Sequence, residues 1–333
     1  MTRIAVFGAG AIGCWVGGRL AAGGADVTLI GRDRMVRELA GGLAVSELGD
    51  RSWTARPALA TEPAAARGAD VVLVTVKSGA TAEAGRALAG ALGDGATVVS
   101  LQNGVRNAEV LRAALPGAHV LAGMVPFNVV HPEPGRYHRG TTGTLMFERH
   151  DAIAPLAAAC RAAELPCELR DDMPAVQWGK LVINLNNAVN ALAGIPLAAQ
   201  LADRTFRRCF ALVVHEALDV LAAGRVPVAR LLRLPPRWIA RLLPMPDWLF
   251  RPLAARIASA DPHARSSMWD DLEAHRPTEI DYIQGEIVAL ADKLGRPAPI
   301  NRTLIALVHA AEAGGKRDFT SAELHAALTR PTA

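Results

Sequence analysis

Apolar residues come in short unbroken runs along the first half of the chain and at helical spacing along the second. Arg3–Phe7, Asp26–Ile30, Val71–Val76, Thr97–Leu101 and Val120–Val125 predict strands. The continuous runs among them fit a parallel sheet covered on both faces. Leu43–Ser46 and Ser52–Thr54 flank a turn at Gly49-Asp50 and predict a short strand pair. Asn128–Phe147 alternates in pieces broken by Pro132, Pro134, Gly135 and Gly140, which predicts antiparallel additions to the sheet edge. Ala152–Ala163 reads as a helix and Cys167–Leu169 as a last strand. Past Asp171-Asp172-Met173-Pro174 the period is helical throughout, so domains of 1–172 and 173–333 are expected. The fold class is thus an α/β doubly wound sheet followed by an all-α domain.

The first strand runs straight into Gly8-Ala9-Gly10-Ala11-Ile12-Gly13 and then a helical pattern through Leu20. Strand, glycine turn and helix in this order suit a dinucleotide: Gly8 for the tight turn, Gly10 for close approach of a pyrophosphate, Gly13 for helix-on-strand packing. The helix's first N–H groups would meet the phosphates. At the end of the second strand, where an NAD-selective site usually places an acid, the chain reads Gly31-Arg32-Asp33. Arg32 can receive a 2'-phosphate, so NADPH is the expected cofactor, while Asp33 is the rival reading as a ribose acceptor. Lys77 and Asn103 follow the next two strands, where strand ends open onto the ligand crevice.

In the helical half, Trp178–Gly194 carries Asn184, Asn186, Asn187 and Asn190, although Asn costs roughly 0.5 kcal/mol per interior helical position relative to Ala. At about 100° per residue, Lys180, Asn184 and Asn187 share a narrow sector beside an apolar one. A lysine with amide neighbours can protonate a carbonyl oxygen. Asp203–Ala223 is a long amphipathic helix. Gly224–Pro262 is rich in proline and arginine and includes Trp238, Trp248 and Phe250. Its prolines prevent one continuous membrane-lying helix, so short packed helices are expected, over the domain or at an oligomer contact such as a homodimer's. Ser267 and Asp270 fit a capping box, and Pro277 separates a short helix from a longer one that ends at Gly295. Glu279 lies in the first turn of the latter, where an acid also suits the helix dipole.

A net charge of +4 over 333 residues is no nucleic-acid footprint. Four cysteines without a CxxC pair, no apolar run long enough to span a bilayer and no cleavable leader pattern give the expectation of a cytoplasmic protein without structural metal.

GAGAIG at Gly8–Gly13, Lys77 in TVKS, LQNG at Leu101–Gly104, WGKLVIN at Trp178–Asn184 and SSMWDDLEAHRPTEIDYIQG at Ser266–Gly285 together resemble the ketopantoate reductase (2-dehydropantoate 2-reductase) family, along nearly the whole chain. The resemblance implies a Rossmann domain, a helical domain and NADPH-dependent reduction of a 2-keto acid in the cleft between them, in the service of pantothenate biosynthesis. It further implies Lys180 and Glu279 as the catalytic residues, Lys180 as the proton donor and Glu279 as the carboxylate that binds the substrate's terminal hydroxyl and is important for turnover, with Ser267 and Asn184 as substrate contacts. Lys77 and Asn103 would border the cofactor, and Arg32 would hold the 2'-phosphate. Two departures bear on the substrate: many members have a second Asn eight residues after the lysine, where this chain has Ala188, and Gly224–Pro262 exceeds compact members. A reductase of another 2-keto acid is therefore one alternative. A non-catalytic NADPH-sensing protein is another, which would have no reason to keep Lys180 and Glu279.

Overall fold

The computed structural model describes residues 1–231, 235–250 and 264–330. The chain divides into two compact units, Met1–Met173 and Pro174–Ala333.

In the first unit, β1 (Arg3–Phe7) is the inner strand against which the others are laid, and Ile4, Ala5 and Val6 are buried. It pairs in parallel with β2 (Asp26–Ile30) on one side and with the strand Val71–Val74 on the other. Between these come β3 (Leu43–Glu47), β4 (Arg51–Ala55) and β5 (Ala58–Ala60), so Val71–Val74 is β6. Then follow β7 (Thr97–Ser100), β8 (His119–Met124), β9 (Val129–Glu133), β10 (Arg136–Arg139), β11 (Leu145–Glu148) and β12 (Cys167–Arg170). The main sheet has the order β12-β11-β8-β7-β6-β1-β2-β5. From β8 to β5 every pairing is parallel, and β11 joins antiparallel to β8. The helices α1 (Ala11–Ala22), α2 (Asp33–Leu39), α3 (Thr81–Ala89), α4 (Asn107–Ala114) and α5 (Ala154–Ala162) make the connections.

One expectation fails here. Of the alternating stretch 128–147, only β11 extends the main sheet; β9 and β10 leave it for a second, four-stranded sheet, order β4-β3-β10-β9, in which β10 pairs parallel to β3. Alternation announces one buried face, Tyr137 in this case, but it does not say which sheet that face covers. This small sheet packs on α1. Arg19 from α1 stacks over Trp53 of β4 at 3.4 Å, and Trp15 Nε1 donates to Ser46 O at 2.8 Å.

Among its described residues the second unit is helical. It opens with α6 (Met173–Asn184), α7 (Asn186–Ala193), α8 (Leu197–Ala202) and α9 (Arg204–Ala223). Helices Pro236–Leu242, Ser267–Glu273, Ile280–Lys293, Pro299–Glu312 and Ser321–Thr329 follow. The single helix expected from Trp178 starts earlier, at Met173, and is interrupted at Leu185. Its predicted end is as expected: Gly194 has φ of +65°, and a Cβ there would collide with Asp318 Oδ1. Of the Pro/Arg-rich segment, 232–234 and 251–262 lie outside the described residues. The described helix Pro236–Leu242 packs on α9, as expected for short packed helices. Just beyond it, the fully buried Arg207 of α9 donates to Leu243 O and Met245 O at 2.8 Å each and pairs with Asp247 at 2.7 Å.

Candidate active site

Gly8, Arg32, Lys77 and Asn103 each follow directly, or within a few residues, the carboxyl end of β1, β2, β6 or β7, four neighbouring parallel strands. Parallel pairing alone therefore puts all four at one edge of the sheet, where open α/β folds bind ligands. The three glycines do different work. Gly8 has φ of +109°, and a Cβ on it would lie 2.6 Å from Val76 N. At Gly13 a Cβ would lie 2.5 Å from Gly8 O and from Thr75 Oγ1, the hydroxyl that itself donates to Gly8 O at 2.6 Å. Around Gly10, in contrast, no heavy atom comes within 4 Å of that position. Two glycines serve packing and the third keeps space clear at the start of α1. The first-turn N–H groups of Ala11, Ile12 and Gly13 have no intrahelical acceptor by helix geometry, and no side chain caps them. Free donors, an open approach and the positive helix end together fit an anionic phosphate group.

Arg32 is exposed at the N-cap of α2, and Asp33 is exposed beside it in the first turn. Lys77 is exposed at the N-cap of a short 3-10 turn, Ser78–Ala80. A buried network, which sequence reasoning missed, ties this turn to Asn103. Ser78 Oγ donates to Asn103 O at 2.8 Å, Asn107 Nδ2 donates to Ser78 Oγ at 3.2 Å, and Thr81 Oγ1 donates to Asn107 Oδ1 at 2.7 Å. Gln102 Nε2 in turn donates to Thr81 Oγ1 at 2.6 Å. The signal available in the sequence was the polar composition of the two turns, which turn chemistry alone accounted for equally well.

In the second unit, Lys180 is half-buried on α6, and Asn184, one turn on, is buried. Elsewhere on this helix, a Cβ at Gly179 would lie 2.7 Å from Ala229 O, while Gly179, Val182 and Ile183 line an apolar pocket with Phe210 and Val214. Burial of the ammonium lowers the Lys180 pKa to about 8 from its usual value near 10.5. The Lys180–Asn184 spacing lies within one helix, so the shared face expected for these two stands. Asn187 lies beyond the interruption at Leu185, half-buried, and its carbonyl accepts from Ser266 Oγ at 3.1 Å. The other two asparagines are structural: Asn186 and Asn190 meet the fully buried Gln200, with Gln200 Nε2 to Asn186 Oδ1 at 2.7 Å and Asn190 Nδ2 to Gln200 Oε1 at 3.0 Å. Ser266 N donates to Asn190 Oδ1 at 2.8 Å.

The expected capping box of Ser267 and Asp270 does not form, and the N-cap falls one residue earlier. Ser266 is the N-cap, its Oγ accepting from Trp269 N at 3.2 Å, and Ser267 is exposed at the first helical position. The cap thus supplies no structural reason for Ser267. Glu279 is half-buried at the N-cap of Ile280–Lys293, and its side chain makes no cap hydrogen bond. Gln284, five residues on and fully buried, donates from Nε2 to Leu185 O at 2.9 Å. It links the interruption after Asn184 to the helix that Glu279 caps, a connection no spacing rule exposes.

The sequence profile described as ketopantoate reductase PanE/ApbA matches residues 4–152, and that described as its C-terminal domain matches residues 172–312. The chain belongs to the ketopantoate reductase family. Its relatives include the 2-dehydropantoate 2-reductase of Halobacterium salinarum, 33% identical with 94% of this chain and 100% of that one covered. That of Archaeoglobus fulgidus is 27% identical, with 94% and 98% covered. Among solved structures, a PanE/ApbA family ketopantoate reductase from Ralstonia eutropha JMP134 superposes with a TM-score of 0.81 at 33% identity, covering 94% of this chain and 99% of that one. D-mandelate dehydrogenase, solved with NADH and anilino(oxo)acetate, has a TM-score of 0.78 at 21% identity, over 94% and 99% of the two chains. That second likeness concerns the fold. Membership in an oxidoreductase family decides against the non-catalytic alternative. Among the described residues no helix is long and apolar enough to cross a membrane. In this ketopantoate reductase family member, Ala188 occupies the place where the second amide was expected, and it is fully buried.

Proposed function

We propose that this protein reduces 2-dehydropantoate to pantoate with NADPH, in the cytoplasm and as part of pantothenate biosynthesis. The observation that carries this reading is Lys180, an ammonium made more acidic by burial, one helical turn from the buried amide of Asn184. Full-length relatives named 2-dehydropantoate 2-reductase support it. When bound, the nicotinamide supplies a hydride to C2 of the keto acid. The carbonyl π electrons pass to oxygen, Lys180 gives that oxygen its proton, and solvent reprotonates the amine. Asn184 and Asn187 orient the substrate through amides that do not compete for the proton. Ser267 contacts the substrate, and Glu279 accepts a hydrogen bond from its terminal hydroxyl. The Gly8–Gly13 turn holds the pyrophosphate, Lys77 and Asn103 border the cofactor, and the Arg32 guanidinium pairs with the 2'-phosphate.

Buried Ala188 favours a second reading, in which the acid reduced is another 2-keto acid, since an amide expected near the substrate is replaced by a methyl group. Initial rates of NADPH oxidation with 2-dehydropantoate, 2-ketoisovalerate and phenylglyoxylate separate the two. The first reading expects the highest kcat/KM with 2-dehydropantoate by at least about tenfold, a difference of about 1.4 kcal/mol in transition-state binding. A higher value with either competitor selects the second.

A further inference from the structure

Glu279 lies between two residues held by one helix. On its amino side, Thr278 N donates to Glu312 Oε1 at 2.8 Å. Two residues past it, Asp281 Oδ1 lies 3.0 Å from His309 Nε2. His309 and Glu312 are themselves joined, Nδ1 to Oε2, at 2.8 Å. Both belong to the helix Pro299–Glu312, one turn apart. Thr278 Oγ1 also accepts from Ile280 N at 3.3 Å, and Ile280 is fully buried. The segment is therefore tied to the same pair of side chains on either side of Glu279, at Thr278 through its backbone N–H and at Asp281 through its carboxylate, while Ile280 between them is anchored in the core.

An ionised carboxylate only accepts hydrogen bonds, so an imidazole between two of them can bond to both only when both ring nitrogens carry protons. Glu312 and Asp281 are the charged groups within ion-pair reach of His309 among the described residues. Both stabilise the imidazolium, and the pKa of His309 is raised accordingly, Glu312 contributing most. The sign follows: a raised histidine pKa means that the bridge is complete at low pH. It loses a bond as pH rises through the folded-state pKa. A neutral ring must then turn a lone pair toward one carboxylate.

We propose that His309, with Glu312, is a positioning residue for Glu279: in its protonated form it clamps Thr278–Asp281 and so holds the carboxylate where the substrate's hydroxyl meets it. This rests on the role given to Glu279 above. Misplacing a binding group by a fraction of an ångström weakens substrate binding without touching the proton donor. Because the Glu279 carboxylate itself is kept, the effect should appear mainly in substrate KM, with kcat little changed.

The test is steady-state kinetics with 2-dehydropantoate and NADPH for wild type, His309→Gln, Asp281→Asn and Glu279→Gln, from about pH 6 to 9. Glutamine can donate to one partner but cannot bridge two acids. His309→Gln and Asp281→Asn are expected to raise KM about fivefold to tenfold near pH 6.5, with kcat within about twofold and the NADPH Kd unchanged. Wild-type KM should rise with pH as His309 titrates, and the KM of His309→Gln should lose that dependence. A His309→Gln KM equal to wild type near pH 6.5, or an unchanged KM–pH profile, overturns the clamp. If His309→Gln proves unfolded by circular dichroism, Asp281→Asn decides alone by the same criteria. Glu279→Gln separates the two ways of failing. A raised KM there with no effect at His309 sinks only the clamp, whereas an unchanged KM sinks the assignment of Glu279 on which the clamp depends.

Discussion

Lys180 gives up stability for its proposed chemistry. Its pKa of about 8 lies below the unfolded value near 10.5, so the folded chain binds fewer protons between those limits and wild-type stability should rise with pH across that window. Lys180→Met should therefore be more stable than wild type near pH 7, by about 1–3 kcal/mol after allowing for partial exposure, and the gap should close toward pH 10. Urea unfolding at the two pH values measures it, and a destabilised variant near pH 7 would contradict the burial argument. Under the proposed function Arg32 selects the cofactor: Arg32→Ala should raise KM for NADPH about tenfold or more and leave KM for NADH nearly unchanged. Equal changes would pass the selecting role to another residue. At this scale the sequence was half legible. Four asparagines on an apolar helix signalled something beyond helix stability, yet only Asn184 shares an unbroken helix with Lys180. Asn186 and Asn190 instead satisfy buried Gln200, a partner that adjacency in sequence cannot show.

The glycine turn makes a sharper test at the level of elements, because its glycines differ in what surrounds them. Gly13→Ala pushes a methyl group into Gly8 O and Thr75 Oγ1 and should cost about 1–3 kcal/mol of stability. Gly10→Ala meets no protein atom and should leave unfolding within about 0.5 kcal/mol of wild type while weakening NADPH binding at least about tenfold. Calorimetry and fluorescence titration on the two variants should show these opposite patterns, and a Gly10→Ala protein with normal NADPH affinity would remove the phosphate from this turn. Glycine, strand and helix stood in local order, which made this element readable from the chain alone. The strands β9 and β10 were less so, since the pairing of β10 with β3 links residues far apart in sequence and β9 pairs with β10. The Ser266 cap was missed by one position because two adjacent serines offer the same side chain, and backbone geometry chooses between them.

Over the whole molecule, order of elements was the legible part: parallel strands and connecting helices first, helices after. Long-range polar ties were not. Arg207, Gln284, His309 and Glu312 each join segments distant in sequence, and none belongs to a motif that composition or period exposes. Such ties hold distant segments together, whereas Lys180 must take part in the chemistry if the proposed reduction is right. The decisive measurement is kcat for 2-dehydropantoate reduction by NADPH, in wild type and Lys180→Ala, from about pH 6 to 10. Wild-type kcat should hold at low pH and fall as pH rises through about 8, because only the ammonium can donate. Lys180→Ala should lie about a thousandfold lower near pH 7 with the NADPH Kd intact. A variant with near-normal kcat would contradict the assignment of Lys180 as the acid.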